Sequence, residues 1–178
     1  MTTTYQMFIE TVVPQNQLIV SRTDLRGFIT YANETFAEIS GYTVEELNGK
    51  PHNIVRHPDM PKSVFKEIWQ TLKDEQKWQG YIKNLRKDGG YYWVYAEISG
   101  VYKDNQLIEY KSMRSPIDNE TKIAMQHRYD ALKKEEEGLC RVVVYLSCDS
   151  IAKLHKLAAD EQKGEDEVMN AILSDTLF

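Results

Sequence analysis

The sequence predicts an α+β protein: a five-stranded antiparallel sheet with helices on one side, followed by a small C-terminal strand-helix-helix unit that dimerises. Three observations predict it. Two β-prone runs flank the polar turn Asp24-Leu25-Arg26-Gly27, and three more are separated by turn residues at 87–90 and 103–105. The helical periodicity of this stretch falls between the second and third runs. After Gly138 a separate pattern begins, with one β-prone run and then two helical ones.

Each element follows from its local chemistry. Leu18-Ile19-Val20-Ser21 and Phe28-Ile29-Thr30-Tyr31 make the first hairpin. Thr35 to Gly41 sets Phe36 and Ile39 on one helical face and ends at a glycine suited to a left-handed cap. Thr43-Val44-Glu45-Glu46 resembles a capping box, and Gly49-Lys50-Pro51 stops the short helix that it starts. Pro61 opens an amphipathic helix with Val64, Phe65, Ile68, Trp69 and Leu72 at helical spacing. Three strands follow, over 78–86, 91–101 and 107–114. Residues 1–16 then form an N-terminal cap, 17–115 the main domain, 116–138 a charged helical connector and 139–178 the C-terminal unit.

Composition bounds the function. The 178 residues are 42% hydrophobic and 28% charged, which suits a packed core. A net charge of −5 disfavours indiscriminate binding to nucleic acid or anionic membrane. No apolar run is long enough to span a bilayer, and Met1 to Tyr5 lacks a basic-then-apolar signal layout, so a cytoplasmic protein without membrane insertion is expected. The two cysteines, Cys140 and Cys148, have no metal-site spacing and are expected as reduced thiols. No nucleophile elbow, phosphate-cradling loop or His-Glu metal motif occurs, so no enzyme is expected and no catalytic residue is assigned.

The segment Asn53-Ile54-Val55-Arg56-His57-Pro58-Asp59-Met60-Pro61 holds the most suggestive chemistry. Arg56 and His57 are paired donors just before Pro58, whose ring restricts the preceding backbone to extended shapes. They suit an anionic or carbonyl-rich ligand. Asp59 suits a ribose or ring N–H, and Phe65 with Trp69 offers a flat apolar wall. On chemistry alone the same residues better suit a polar loop capping the next helix, with Phe65 and Trp69 as ordinary core.

The motifs Tyr31-Ala32-Asn33-Glu34-Thr35-Phe36, Ser40-Gly41-Tyr42-Thr43, Glu46-Leu47-Asn48-Gly49-Lys50-Pro51 and Asn84-Leu85-Arg86-Lys87-Asp88-Gly89 resemble those of a PAS domain over about residues 15–115. The longer string ending His57-Pro58-Asp59-Met60-Pro61 resembles the FAD-binding PAS domains of bacterial aerotaxis and energy-taxis receptors. That resemblance implies an FAD pocket at Asn33, Arg56, His57, Asp59, Phe65, Trp69, Asn84 and Tyr92, with FMN as the alternative. Asn84 both donates and accepts, as the pyrimidine edge of a flavin needs, and Trp78 suits either stacking on an adenine or a place in the core. Blue-light PAS domains need a cysteine beside the ring, and the pocket segment has none. Haem, through His52 or His57, is the weaker rival because His57 already belongs to the FAD-like motif.

The C-terminal segment, 141–147 as a strand and then 149–162 and 165–178 as helices, resembles a ribbon-helix-helix domain. That resemblance implies a homodimer and a DNA-reading ribbon face at Arg141, Val143 and Tyr145. Two features depart from the pattern. Val143 offers only a methyl contact to a base, and the second helix starts with Glu165-Asp166-Glu167, which repels a phosphate. From residue 141 onward four basic residues face seven acidic ones, a balance of −3. Two outputs are therefore expected: a one-component redox- or oxygen-responsive transcriptional regulator on a palindromic operator, or a soluble adaptor to a chemoreceptor or another signalling protein.

Overall fold

The structure, a computed structural model, describes residues 9–138 and 148–161. The chain divides into two compact units, Met1–Cys140 and Arg141–Phe178. Strands β1 (Ile19–Thr23) and β2 (Ile29–Ala32) form the first hairpin, followed by helices α1 (Glu34–Ser40) and α2 (Val44–Leu47). A 3-10 turn over His52–Val55 leads to α3 (Lys62–Lys73). Strands β3 (Trp78–Leu85), β4 (Tyr91–Lys103) and β5 (Gln106–Ser115) complete an antiparallel sheet of order β2-β1-β5-β4-β3, and α4 (Asn119–Glu137) follows.

Local chemistry fixes the boundaries. Asn33 caps α1 by accepting from the Phe36 N–H, and Gly41 ends it at φ 74°, a left-handed conformation that glycine adopts at low cost. The capping box is present in full: Thr43 accepts from the Glu46 N–H while the Glu46 carboxylate accepts from the Thr43 N–H. Asp104 and Asn105, both at positive φ, make the two-residue turn between β4 and β5 that matches the twist of the strands. Pro61 sits at the N-cap of α3 rather than in its first turn and has no side-chain cap to offer.

The core lies between the inner face of the sheet and α1 to α3. Ile19, Ile29, Phe36, Leu47, Val55 and Val94 are fully buried there, each removal from water contributing about 1.5–3 kcal/mol. Adjacent residues of a strand face opposite ways, so Tyr92 points into this core and Trp93 points out. Trp93 is buried as well, because Tyr129 of α4 stacks on it at 5.9 Å and donates its hydroxyl to the Tyr81 carbonyl at 2.6 Å. The segment expected as a connector is thus also a docked helix, and the sheet carries helices on both faces rather than one. Its sparse apolar residues concealed this, since Tyr129 alone of α4 is buried.

In the second unit the described residues form α5 (Cys148–Glu161), over the stretch where the first C-terminal helix is expected. The expected strand at 141–147, with Arg141, Val143 and Tyr145, and the expected helix at 165–178 lie outside the described residues.

Candidate functional site

Between α3, the 3-10 turn and the inner face of the sheet lies a partly open cavity of about 280 Å³. Its apolar walls are built by periodicity. Phe65, Ile68, Trp69 and Leu72 recur at helical spacing along one side of α3, and Ile82 and Ile98 face them from β3 and β4. Trp69 is 41% exposed and meets Tyr110 edge-to-face at 5.7 Å. The Arg56 guanidinium stands 3.8 Å from the centre of the Phe65 ring, a cation–π contact that holds both side chains at the cavity wall.

Segment 56–60 runs beside the free edge of β3. Arg56 makes an isolated antiparallel bridge with Asn84, and the Met60 sulfur accepts from the Lys83 N–H at 3.2 Å. This edge pairing places Asn84, 4% exposed, in the cavity wall with its carboxamide nitrogen unsatisfied within the chain. Its cross-strand neighbour Tyr92 is fully buried with an equally unsatisfied hydroxyl, and burial raises its pKa, so the phenol stays protonated and a donor. Buried polar atoms are nearly always paired in folded proteins. Asn84 Nδ2 in the cavity wall, with the Tyr92 hydroxyl on the residue paired with it across the strands, suits an acceptor-bearing ligand.

The deep wall is polar in a way the sequence did not announce. Arg114 and Ser112 of β5 face inward, each with an unsatisfied atom, Nη1 and Oγ. Arg114 Nη2 donates to Ser21 Oγ at 3.0 Å and lies 2.7 Å from His52 Nε2. Burial, with the Arg114 charge adding to it, lowers the His52 pKa to about 3, so the imidazole is neutral and accepts at Nε2. The ring is otherwise stacked on Phe36 at 5.7 Å.

The remaining residues expected at the site occupy other positions. Asn33 is spent on structure: Oδ1 accepts from the N–H groups of Val20 and Phe36, and Nδ2 donates to the Leu18 carbonyl. Trp78 lies in the core across Gly80, where a Cβ would come within 2.5 Å of its indole, and it donates to Glu67 at 3.1 Å. His57 packs edge-on against Tyr91 and accepts from the Asp59 N–H at Nδ1. Asp59 pairs with Lys83 at 2.5 Å. Of the expected residues, the cavity brings together Arg56, Phe65, Trp69 and Asn84, with Tyr92 buried beside Asn84.

His57 and Arg56 also border an outer crevice, with Lys62 of α3 and Lys133 and Glu137 of α4. Asn53 and Arg56 are common to cavity and crevice. Among the described residues no cluster of three or more His, Cys, Asp or Glu suits a metal ion, and no helix is long and apolar enough to cross a membrane.

The sheet order, the helices between β2 and β3, and a cavity beneath α3 agree with what comparison with known proteins finds. A family model of the PAS fold matches residues 29–114. Those residues have the PAS fold. The chain is 43% identical over 122 residues to the aerotaxis receptor of Escherichia coli (strain K12), 68% of this chain and 24% of the receptor. The nitrogen fixation regulatory protein of Klebsiella pneumoniae is 34% identical over 108 residues, 60% of this chain and 22% of that protein. The chain therefore spans about a quarter of the length of these relatives. Among solved structures, the PAS domain of a Colwellia psychrerythraea protein superposes with a TM-score of 0.52 at 28% identity, covering 56% of this chain and 86% of that one. The blue-light photoreceptor Aureochrome1 LOV domain shares the fold at 17% identity, with a TM-score of 0.55 over 62% of this chain and 83% of its own.

Proposed function

We propose that the PAS domain holds a flavin, as FAD, and senses redox state or oxygen. The observation that carries this is the pair of buried, unsatisfied donors, Asn84 Nδ2 and Tyr92 OH, beside a cavity walled by Phe65, Ile68 and Trp69. A planar apolar ring with acceptor groups along one edge meets both demands at once. The homology to an aerotaxis receptor supports a sensing role. Arg56, His57, Lys62 and Lys133 around the outer crevice favour a ligand with a diphosphate arm over one with a single phosphate, hence FAD over FMN.

When bound, the flavin supplies reversible electron transfer and a hydrogen-bonding edge that differs between its redox states. Asn84 reads that edge, since its amide offers either a donor or an acceptor on reorientation, and it lies on β3 opposite Tyr92 of β4. Phe65, Ile68 and Leu72 exclude water from the ring. Visible spectroscopy of the purified protein, with the released cofactor identified, tests the proposal: a flavin spectrum and FAD are expected, and a colourless protein that takes up neither flavin nor haem overturns it. Exchange of Asn84 for serine in the loaded protein should uncouple output from redox state, and unchanged signalling would remove Asn84 from the role.

For the output we propose a one-component regulator in which the C-terminal unit dimerises and binds a palindromic DNA site. The support is the strand-helix-helix pattern of the sequence. The acidic balance of residues 141–178 favours the alternative, an adaptor docking on a chemoreceptor or another signalling protein. Binding assays at low salt separate the two, since a DNA reader must show salt-dependent affinity there.

A further inference from the structure

Arg114 is 3% exposed, and among the described residues no carboxylate lies within ion-pairing distance of it. Its surroundings on every side are neutral: Ser21 on β1, His52 on the 3-10 turn, the Phe36 ring of α1 at 4.9 Å, and the protonated Tyr92 of β4. Burial draws its pKa down only to about 10, so the guanidinium remains a cation at neutral pH. Breaking a buried ion pair by removing one partner is strongly destabilising, because an uncompensated charge remains. Arg114 stands in that condition by design of the fold, with Nη1 unsatisfied and its side chain in the cavity wall beside the unsatisfied Ser112 Oγ. Neither residue belongs to the motif segment 53–61.

We propose that Arg114, with Ser112 beside it, is an anion-receiving pole of the cavity, which binds the acceptor-rich edge of the ligand and favours its more negatively charged, reduced form. This rests on the flavin reading. The balance is simple: a neutral oxidised ring that gains two electrons and one proton leaves with one net negative charge, which Arg114 compensates. A ring without that partner takes up a second proton instead. Arg114 thereby sets the potential at which the sensor switches, while Asn84 reads the outcome. The deep wall is complementary to both roles, since neutral His52 and Ser21 orient the guanidinium without cancelling its charge.

The test compares wild type with Arg114→Gln, Arg114→Met and Arg114→Lys, each loaded with FAD and titrated at pH 6 with dithionite, which supplies the electrons and is oxidised to sulfite. Arg114→Gln keeps a donor for His52 without the charge, so it reads the electrostatic role should Arg114→Met fail to fold. Expected in the neutral variants are a lower midpoint potential, proton uptake per two electrons rising from near one toward two, and FAD release increased about tenfold or more. Arg114→Lys should restore the potential and the proton count in large part. In the ligand-free state Arg114→Gln should melt above wild type, because it removes an uncompensated buried charge. A wild type that takes up neither FAD nor FMN overturns the flavin reading and this proposal with it. Loaded neutral variants with wild-type potential, proton count and FAD retention overturn the role of Arg114 alone, as does a ligand-free Arg114→Gln that melts no higher than wild type.

Discussion

Glu136, near the end of α4, caps Ser63 in the first turn of α3, 73 residues earlier: its carboxylate accepts from the Ser63 N–H at 3.0 Å and from the Lys62 N–H at 2.9 Å. Pro61 leaves that helix start without a cap of its own, and Lys62 pairs with Glu137 alongside. Exchange of Glu136 for alanine should lower stability by about 0.5–1 kcal/mol, as loss of an N-cap does. Hydrogen exchange should rise at the first turn of α3 and the last turn of α4 together, and a change confined to α4 would show that the cap does not bind the two.

The same carboxyl predicts an acid limit. Hydrogen bonding to Ser63, which outweighs the opposing desolvation, lowers the Glu136 pKa below its ordinary 4.5. A depressed carboxyl contributes stability above its unfolded value and loses it as pH falls through the folded one. Wild type and Glu136→Gln should therefore differ in thermal midpoint at pH 6 and converge as pH drops below 4.5.

His52 sets a second acid response, with a different window. Its folded pKa is about 3 against 6.5 for an exposed imidazole, so between these values the unfolded chain binds a proton that the folded one does not. Stability should fall as pH is lowered from about 6.5 toward 3. His52→Gln should flatten that slope, read from urea midpoints at several pH values, and an unchanged slope would place the response elsewhere.

Docking of α4 can be measured at Tyr129. Tyr129→Phe removes only the bond to the Tyr81 carbonyl and should cost about 1 kcal/mol. Tyr129→Ala also empties the stack on Trp93 and should cost about 3–5 kcal/mol, as large-to-small changes of buried aromatics do. Trp93 fluorescence should then show a more solvated indole, and an unshifted spectrum would mean that the helix holds by its polar contacts.

At Gly80 the expected effect is steric. An added Cβ would meet the Trp78 indole at 2.5 Å, so Gly80→Ala must displace a buried ring that packs in the core and bonds Glu67. A loss of about 1–3 kcal/mol, with altered near-ultraviolet circular dichroism, is expected.

The parts of the fold legible in the sequence are those set locally. Gly41, the Thr43–Glu46 box and the Asp104–Asn105 turn each depend on neighbours a few residues away, so their type and place could be read directly. Arg56, Phe65 and Trp69 stood out because a motif and a helical period marked them. Arg114 and Ser112 did not, because nothing in Lys111-Ser112-Met113-Arg114 says which phase of the strand faces inward. An apolar-in rule would have turned Met113 to the core and Arg114 to water. The antiparallel register that pairs Ser21 with Ser112 and Ile19 with Arg114 settles the phase, and it is a property of two distant strands. Asn33 illustrates the converse, since its motif position is explained by the loop it ties together.

Segment 56–63 touches the cavity through Arg56 and α4 through its other groups: the Pro58 carbonyl accepts from Lys133 at 2.7 Å, and Lys83, paired with Asp59, also donates to Gln126 at 3.1 Å. Two events that share one short stretch of backbone are bound by reciprocity: by whatever factor ligand tightens the grip on α4, a docked α4 tightens the grip on ligand. A partner that peels the helix away would thus loosen the proposed flavin by the same factor, and the listener would alter what the sensor hears.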